Sequence, residues 1–207
     1  MADTVVTGAT APPTAKGRAT RQAILAAAEE VFGELSYDRA SISEITRRAG
    51  VAQGTFYVYF PDKKAAFIEL VHQLNSDLRR ALSQAIDEAP DRLTAERIGF
   101  RTFFDYVVRH KPLYRVVRES QFVAPEAYQW HYNKLAEGYI AGLQQAQDDG
   151  EISSAISAET TAWILMGISE FVGGRWVLLL DQLPPDDVFE EIMTFISCAL
   201  RPRGGKA

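Results

Sequence analysis

Hydrophobic residues recur every three or four positions along most of this chain, and proline or glycine residues mark the ends of the repeats. That spacing is typical of amphipathic α-helices, and no segment alternates with the period of two that marks a strand. The pattern therefore predicts an all-α protein of about nine helices. The predicted helices cover residues 20–35, 42–49, 53–59, 63–89, 91–110, 112–119, 125–149, 158–181 and 186–200.

The segment from Ser41 to Lys63 has the pattern of two short helices joined by a tight turn. Ser41 lies three residues before Glu44, which is the spacing of a capping box at a helix start. Gly50 ends the first helix, because a turn between helices needs a residue that accepts positive φ. The second helix, 53–59, carries uncharged hydrogen-bonding side chains that suit the edges of DNA bases. The segment therefore predicts a helix-turn-helix that contacts DNA.

The stretch AGVAQGTFYVYFPDKKAAF, within a region from about Arg18 to Asp77, resembles the DNA-binding domain of the TetR family of transcriptional regulators. The turn glycine, the aromatic residues of the second helix and the lysine after them fall at the family's spacing. The resemblance implies an all-α homodimer, with an N-terminal three-helix DNA-binding domain and a C-terminal helical domain for ligand binding and dimerisation. We expect a disordered arm (1–17), these two domains (18–78 and 79–202) and a short tail (203–207).

We predict that the uncharged face of the second motif helix, with hydroxyl and basic residues near it, contacts double-stranded operator DNA. Lys63 opens the next helix, where we expect its ammonium group and the free amides to hold a DNA phosphate jointly. Basic residues outnumber acidic ones by eight to six between Lys16 and Lys64, although the whole chain has a net charge of −5. The predicted DNA contacts are Arg18, Ser41, Ser43, Arg48, Gln53, Gly54, Thr55, Tyr57, Tyr59 and Lys63.

The last two predicted helices are apolar on more than one side, so they need packing partners on two sides. A second copy of the chain is the simplest partner for the outer side, and it would form a four-helix bundle across a two-fold axis. Ordinary core packing in a monomer is the alternative that the pattern leaves open. The predicted dimer contacts are Ile164, Ile168, Phe171, Arg175, Ile192, Phe195, Ile196 and Ala199.

Aromatic and long apolar residues gather between residues 91 and 181, and a few polar residues lie among them. Core packing explains each of them singly, but as a group they allow an apolar cavity with polar anchors, the usual form of a small-molecule site. We predict a hydrophobic or aromatic effector, with an acyl thioester among the candidates. The predicted ligand contacts are Phe103, Phe104, Val107, Tyr114, Arg118, Phe122, Trp130, Trp163, Met166 and Glu170.

Composition and motifs argue against enzymes, metalloproteins and membrane proteins. The 207 residues are 47% hydrophobic and 24% charged, which is ordinary for a globular protein. No metal-binding pair, nucleophile motif or phosphate loop is present, so we predict no enzyme, no metal and no cofactor. The apolar runs look too short to span a membrane and the start lacks a secretory signal, which predicts a cytoplasmic protein. Cys198 is expected to be a buried thiol.

The predicted function is therefore a ligand-responsive regulator that binds a palindromic operator as a homodimer. Repression is the commoner outcome in families of this kind, so we predict a repressor. A helical adaptor or sensor without sequence-specific DNA binding is the alternative, and it would leave the composition of the 53–59 helix unexplained.

Overall fold

A computed structural model describes residues 14–202, and every regular element in that range is helical. The absence of strands from this part of the chain confirms the predicted all-α class. The elements are α1 (Ala15–Arg39), α2 (Ile42–Arg48), α3 (Gln53–Tyr59), α4 (Lys63–Ile86), α5 (Arg92–Arg109), α6 (Lys111–Val123), α7 (Pro125–Asp148), α8 (Ala158–Gly173), a π-helix (Gly174–Leu179) and α9 (Asp186–Leu200).

Helix α1 begins earlier than the sequence pattern predicted. The Thr14 side chain accepts a hydrogen bond from the Gly17 amide at 3.1 Å, and this N-cap starts the helix at Ala15. The predicted start near Thr20 was therefore wrong, because the segment before it was interpreted as irregular from its composition. The other residues of the predicted arm, 1–13, and the predicted tail, 203–207, lie outside the described range.

The predicted helix over 158–181 is two elements. Its α-helical part ends at Gly173, and the chain continues as the π-helix Gly174–Leu179. A π-turn holds one more residue than an α-turn, and a segment that is apolar on several sides does not reveal this change in its spacing. The α9 helix agrees with its predicted range. Cys198 within it is exposed, so the expectation of a buried thiol was wrong.

One described stretch, Ala158–Leu179, is long and apolar enough to cross a membrane by length and composition. The expectation that no apolar run would reach this limit was wrong, because it considered two shorter runs separately. Helices from the cores of water-soluble proteins meet the same criteria, so this stretch is weak evidence for a membrane span. Several of its apolar side chains, Ile164, Phe171 and Leu179 among them, are exposed.

The chain divides into two compact units. The first, here called the head unit, comprises the described residues up to Leu74 together with Arg115–Gln129, and the second, the body unit, comprises Asn75–Tyr114 and the described residues from Trp130 onward. Three helices, α4, α6 and α7, contribute residues to both units. The head unit thus includes a segment from α6 and α7 that lies far along the sequence from its first four helices.

The head unit has a core built from the apolar faces of its first four helices. Phe32 of α1 and Phe67 of α4 meet edge to face, with ring centroids 5.1 Å apart. Phe56 of α3 is fully buried beside Phe60, at 5.5 Å between centroids. This packing turns one face of α3 inward and leaves its opposite face outward.

The body unit has its own core, formed by α5, α7, α8 and α9. Its largest members come from facing helices, as at Phe104 and Phe189, whose ring centroids are 6.5 Å apart. The buried members of this core are Phe100, Phe104, Leu143, Ala146, Ile152, Ala158, Ala162, Leu165, Phe189, Met193, Ile196 and Leu200.

Candidate nucleic-acid interface

The turn between α2 and α3 has the geometry that the sequence predicted. Gly50 has φ of +68°, a backbone conformation that residues with a Cβ atom rarely adopt. The Val51 amide donates to the Thr46 carbonyl at 3.0 Å and closes the turn. The Ser41 hydroxyl accepts from the Glu44 amide at 3.2 Å, so the predicted cap of α2 is present. The two short helices are thereby held as a helix-turn-helix.

Helix α3 presents an uncharged face to solvent. Gln53 and Gly54 are exposed, and Tyr57 keeps about half of its surface, 53%, accessible. Ser41 and Ser43, at the start of α2, are also exposed and share a hydrogen bond of 3.0 Å between their hydroxyl oxygens. These five predicted DNA contacts are therefore accessible without any rearrangement of the chain.

Gly54 has no internal reason to be glycine. Its φ is not positive, and a Cβ atom added to it would meet nothing within 4 Å. An alanine would favour the helix more, because glycine loses more backbone freedom on folding. The exposed position without a side chain leaves the backbone of α3 accessible to another surface.

Two residues of α3 depart from the predicted set. Tyr59, a predicted DNA contact, is buried with 7% of its surface accessible, and Thr55 is half-buried. Val58 was not predicted, but it is 68% exposed. Helical spacing could have predicted both differences, because residues three or four positions apart lie on the same face of a helix. Tyr59 is three residues after buried Phe56, and Val58 is four residues after exposed Gly54.

Arg48, a predicted DNA contact, is engaged by carboxylates. Its guanidinium lies 2.6 Å from Glu34, 2.8 Å from Glu44 and 3.7 Å from Glu30. Hydrogen bonds from Arg47 and then Arg48 lower the pKa of Glu44 to about 2. Arg48 thus ties α2 to α1, whereas the side chain of Arg47 is 70% exposed and pairs with Glu44 alone among the ion pairs described.

Lys63 lies at the start of α4 as predicted, but its ammonium group has partners within the head unit. It donates to the carbonyl of Tyr37 at 2.7 Å and to that of Ala40 at 2.9 Å. It also lies 4.2 Å from the centroid of the Tyr37 ring. Asp62 accepts from the Ala65 amide and caps α4, as the sequence indicated. Arg18 is exposed in the first turns of α1.

The residues predicted to bind a ligand are divided between the two units. Arg118 and Phe122 belong to the head unit, where Phe122 is 83% exposed, and the other eight belong to the body unit. Within the body unit Phe104 and Val107 are fully buried, whereas Trp163 is exposed. The remaining five are Phe103, Tyr114, Trp130, Met166 and Glu170, all buried or half-buried.

Five of the eight residues predicted to mediate dimerisation are exposed, on α8, the π-helix and α9. Phe171 is 79% exposed, Phe195 63% and Ile164 48%, values that are high for apolar side chains in a folded unit. Arg175 and Ala199 are exposed as well. Ile168 and Ile192 pack partly against the body core, and Ile196 is fully buried within it.

A helix-turn-helix with an exposed uncharged second helix, followed by an all-helical body, defines a class of DNA-binding transcriptional regulators. Residues 24–70 match the family model of bacterial regulatory proteins of the tetR family. YdgC of Bacillus subtilis, an uncharacterized HTH-type transcriptional regulator, is 29% identical over 195 residues, which cover 91% of this chain and 96% of that protein.

EthR of Mycobacterium tuberculosis, an HTH-type transcriptional regulator, is 31% identical over 154 residues that cover 72% of this chain and 71% of EthR. The chain belongs to the tetR family of bacterial regulatory proteins. Its fold is also that of FadR from Bacillus subtilis, solved in complex with stearoyl-CoA, with a TM-score of 0.74 and 20% identity over 84% of this chain and 96% of that one.

Proposed function

We propose that this regulator is a repressor that binds a palindromic operator as a homodimer and is released by a hydrophobic small molecule. The observation that carries the DNA-binding part is the outward face of α3, where Gly54 lies between the hydrogen-bonding side chains of Gln53 and Tyr57. An uncharged, hydrogen-bonding face with a gap at its centre matches the edges of base pairs in a major groove. Residues 18–78 form the DNA-binding domain in this proposal, and 79–202 the ligand-binding and dimerisation domain.

The proposed base and backbone contacts come from the accessible residues Ser41, Ser43, Gln53, Tyr57 and Val58. Glutamine can pair with adenine, and the valine methyl groups can meet the methyl group of thymine. Arg48 and Lys63 hold α1, α2 and α4 together in the absence of DNA. The DNA contact predicted for Arg48 and the phosphate contact predicted for Lys63 remain part of the proposal.

The homodimer is supported by the exposed apolar residues of α8 and α9. Ile164, Phe171 and Phe195 leave much more apolar surface accessible than a monomer in water favours. A second copy offers the same surface across a two-fold axis and buries both at once. Two copies of α3 about 34–36 Å apart then meet successive major grooves, which favours a palindromic site. A protein that binds chromosomal DNA in this way acts in the cytoplasm.

An apolar effector is supported by the aromatic residues of α5, α6 and α8 and by the fold shared with FadR, which was solved with stearoyl-CoA. For release to occur, the effector must prefer the conformation that does not bind DNA. Reciprocity then requires operator DNA to weaken effector binding by the same factor. Helices α4, α6 and α7, which contribute residues to both units, are the proposed carriers of that coupling.

DNA binding is tested by a mobility shift with the duplex that precedes the chain's own coding sequence. A complex that resists a large excess of random-sequence competitor supports the proposal. The Gln53→Ala variant should change which sequences are preferred, because Gln53 faces base edges in this proposal. Binding of the random competitor equal to that of the upstream duplex would reject sequence-specific regulation.

The effector class is tested by thermal shift with stearoyl-CoA, using coenzyme A and stearate as matched controls. Stearoyl-CoA, but neither control, should raise the melting temperature and release the protein from the upstream duplex. That result supports an acyl thioester as the effector. A rise with stearate as well would assign recognition to the acyl chain. No shift with either lipid would reject the acyl class and leave the DNA-binding proposal intact.

A further inference from the structure

The last turn of α1 contains a strained residue. Ser36 has φ of +66° and ψ of 162°, a combination that is essentially restricted to glycine. Regular helix precedes it, and the chain resumes helical form for Tyr37 to Arg39. A residue with a Cβ atom persists in such a conformation only where its surroundings hold it there. The contacts around Ser36 therefore hold its backbone in the strained conformation.

Two side chains of α6 occupy the hydrogen-bonding groups on either side of this kink. In an uninterrupted α-helix the amide of Tyr37 donates to the carbonyl of Gly33. Here the Tyr37 amide donates to both carboxylate oxygens of Glu119, each at 2.9 Å, and the Gly33 carbonyl accepts from Arg115 at 2.7 Å. Arg115 and Glu119 are four residues apart and so share one face of α6. Together they replace both partners of one helical hydrogen bond.

The segment after the kink is also held by Lys63 of α4. The ammonium group of Lys63 donates to the carbonyls of Tyr37 and Ala40, which flank the turn that leads into α2. The Tyr37 ring stacks on Phe32, with centroids 5.8 Å apart. Ser41, the cap of α2, follows directly. The direction in which α1 enters the helix-turn-helix thus depends on the conformation of Ser36.

We infer that Arg115 and Glu119 are a positioning pair, here called the α6 clamp, that holds the kink at Ser36 and thereby sets the DNA-binding geometry of α2 and α3. This inference rests on the proposed function. Release of the clamp leaves neither backbone group unpaired, because the Tyr37 amide and the Gly33 carbonyl are each other's partners in a straight helix. The kinked and straight forms are therefore two discrete states, as a switch requires.

The first turn of α6 belongs to the body unit and has its partners there. The Tyr114 hydroxyl donates to the carbonyls of Ser169 and Glu170 in α8, at 3.3 and 3.4 Å. Lys111 pairs with Asp181, which follows the π-helix. A change in α8 therefore acts on the same helix that carries the α6 clamp one turn later.

The test compares affinities for the upstream duplex by fluorescence anisotropy. Glu119→Ala removes the acceptor for the Tyr37 amide and should weaken binding by about tenfold, since hydrogen bonds to charged groups are the stronger ones. Glu119→Gln retains one acceptor oxygen and should weaken it less, and it replaces the alanine variant if that protein does not fold. Glu126→Gln is the matched control, because Glu126 is an exposed carboxylate of the same unit that pairs with Lys64 at 3.4 Å.

Substitution of Ser36 separates the switch from simple loss of structure. Ser36→Gly relieves the positive φ and disfavours a straight helix, so it should restore most of the affinity lost in Glu119→Ala. Ser36→Ala favours the straight helix and should weaken binding as Glu119→Ala does. A merely structural contribution of Glu119 would not be rescued by Ser36→Gly.

The backbone carbon chemical shifts of Ser36 report the kink directly. They should move to helical values in Glu119→Ala and stay unchanged in Glu126→Gln. Unchanged shifts, or an affinity within twofold of the wild type in both Glu119 variants, would overturn the α6 clamp. Failure of the wild-type protein to prefer the upstream duplex would instead overturn the proposed function, and the Ser36 shifts would still decide whether Glu119 holds the kink.

Discussion

The hydroxyl of Tyr114 occupies the space that a side chain at Gly173 would need. A Cβ atom built on Gly173 would overlap the Tyr114 oxygen and lie 3.5 Å from the Phe103 ring. Tyr114 is buried, with 4% of its surface accessible, and its hydroxyl bonds the carbonyl of Ser169. Gly173 ends α8 directly before the π-helix, so the tyrosine contacts the point at which the helix changes form.

Gly173→Ala should therefore lower the free energy of unfolding by about 1–3 kcal/mol, because the packed tyrosine has to move. Gly138→Ala is the control, since a Cβ atom there would meet nothing within 4 Å. Both substitutions gain helix propensity, so the control should be stabilised by about 0.5–1 kcal/mol. Urea unfolding measures both, and equal stability of the two variants would contradict the overlap.

Gly54→Ala should leave the fold intact and impair DNA binding. Nothing in the described chain lies within 4 Å of the added methyl group, so the free energy of unfolding should not fall. If α3 meets base edges closely, the methyl group separates the two surfaces, and affinity should drop by about tenfold or more. Anisotropy and urea unfolding on the same preparation measure the two effects. Undiminished binding would remove Gly54 from the interface.

Phe171→Asp should dissociate the proposed dimer. The side chain is 79% exposed, and a symmetric interface loses two apolar contacts for each substitution. The dissociation constant should rise by at least about 100-fold. Light scattering after size-exclusion chromatography measures this. Phe122→Asp is the matched control: its phenylalanine is 83% exposed on α6, and the variant should keep the assembly of the wild type.

The stability of the protein should depend on pH through His131. Burial lowers the pKa of His131 from 6.5 to about 4. The folded protein therefore binds this proton less readily than the unfolded chain, so the contribution is complete above pH 6.5 and is lost as the pH falls towards 4. The full effect is about 3 kcal/mol.

His131→Gln should flatten this dependence when urea unfolding is compared between pH 7 and pH 4.5. Asn75, which donates to the His131 ring nitrogen at 3.2 Å and to its carbonyl at 2.9 Å, keeps its backbone partner in the variant. His110→Gln retains His131 and should keep the slope of the wild type. An unchanged slope in His131→Gln would assign the pH dependence to other groups.

Lys63→Met should lower the free energy of unfolding by about 1–3 kcal/mol, because the carbonyls of Tyr37 and Ala40 lose their shared donor. The sequence-based prediction of a phosphate contact adds a second expectation, a fall of about one in the slope of log affinity against log salt. Lys64→Met is the control, since Lys64 is an exposed neighbour paired with Glu126. Lower stability with an unchanged salt slope would exclude the phosphate contact.

Much of the candidate interface could be predicted from local spacing. The inward Phe56 and Phe60 and the outward Gln53 and Tyr57 follow from a helical period of 3.6 residues. The same period, applied strictly, would have placed Tyr59 inside and Val58 outside. The prediction included Tyr59 because its hydroxyl can form hydrogen bonds, and it omitted Val58 because that side chain is aliphatic. In both cases the chemistry of the residue was given more weight than its position in the helix.

The linear sequence was sufficient for the all-α class, most helix limits, the helix-turn-helix and the family, because all of these depend on residues within a few positions of one another. Partners of charged and strained groups needed the folded chain. Glu119 lies 82 residues from Tyr37, and no local pattern relates an acidic residue of α6 to a backbone amide of α1. Lys63 likewise has the same sequence signature whether it binds a phosphate or two carbonyl groups, and only the distances around it distinguish them.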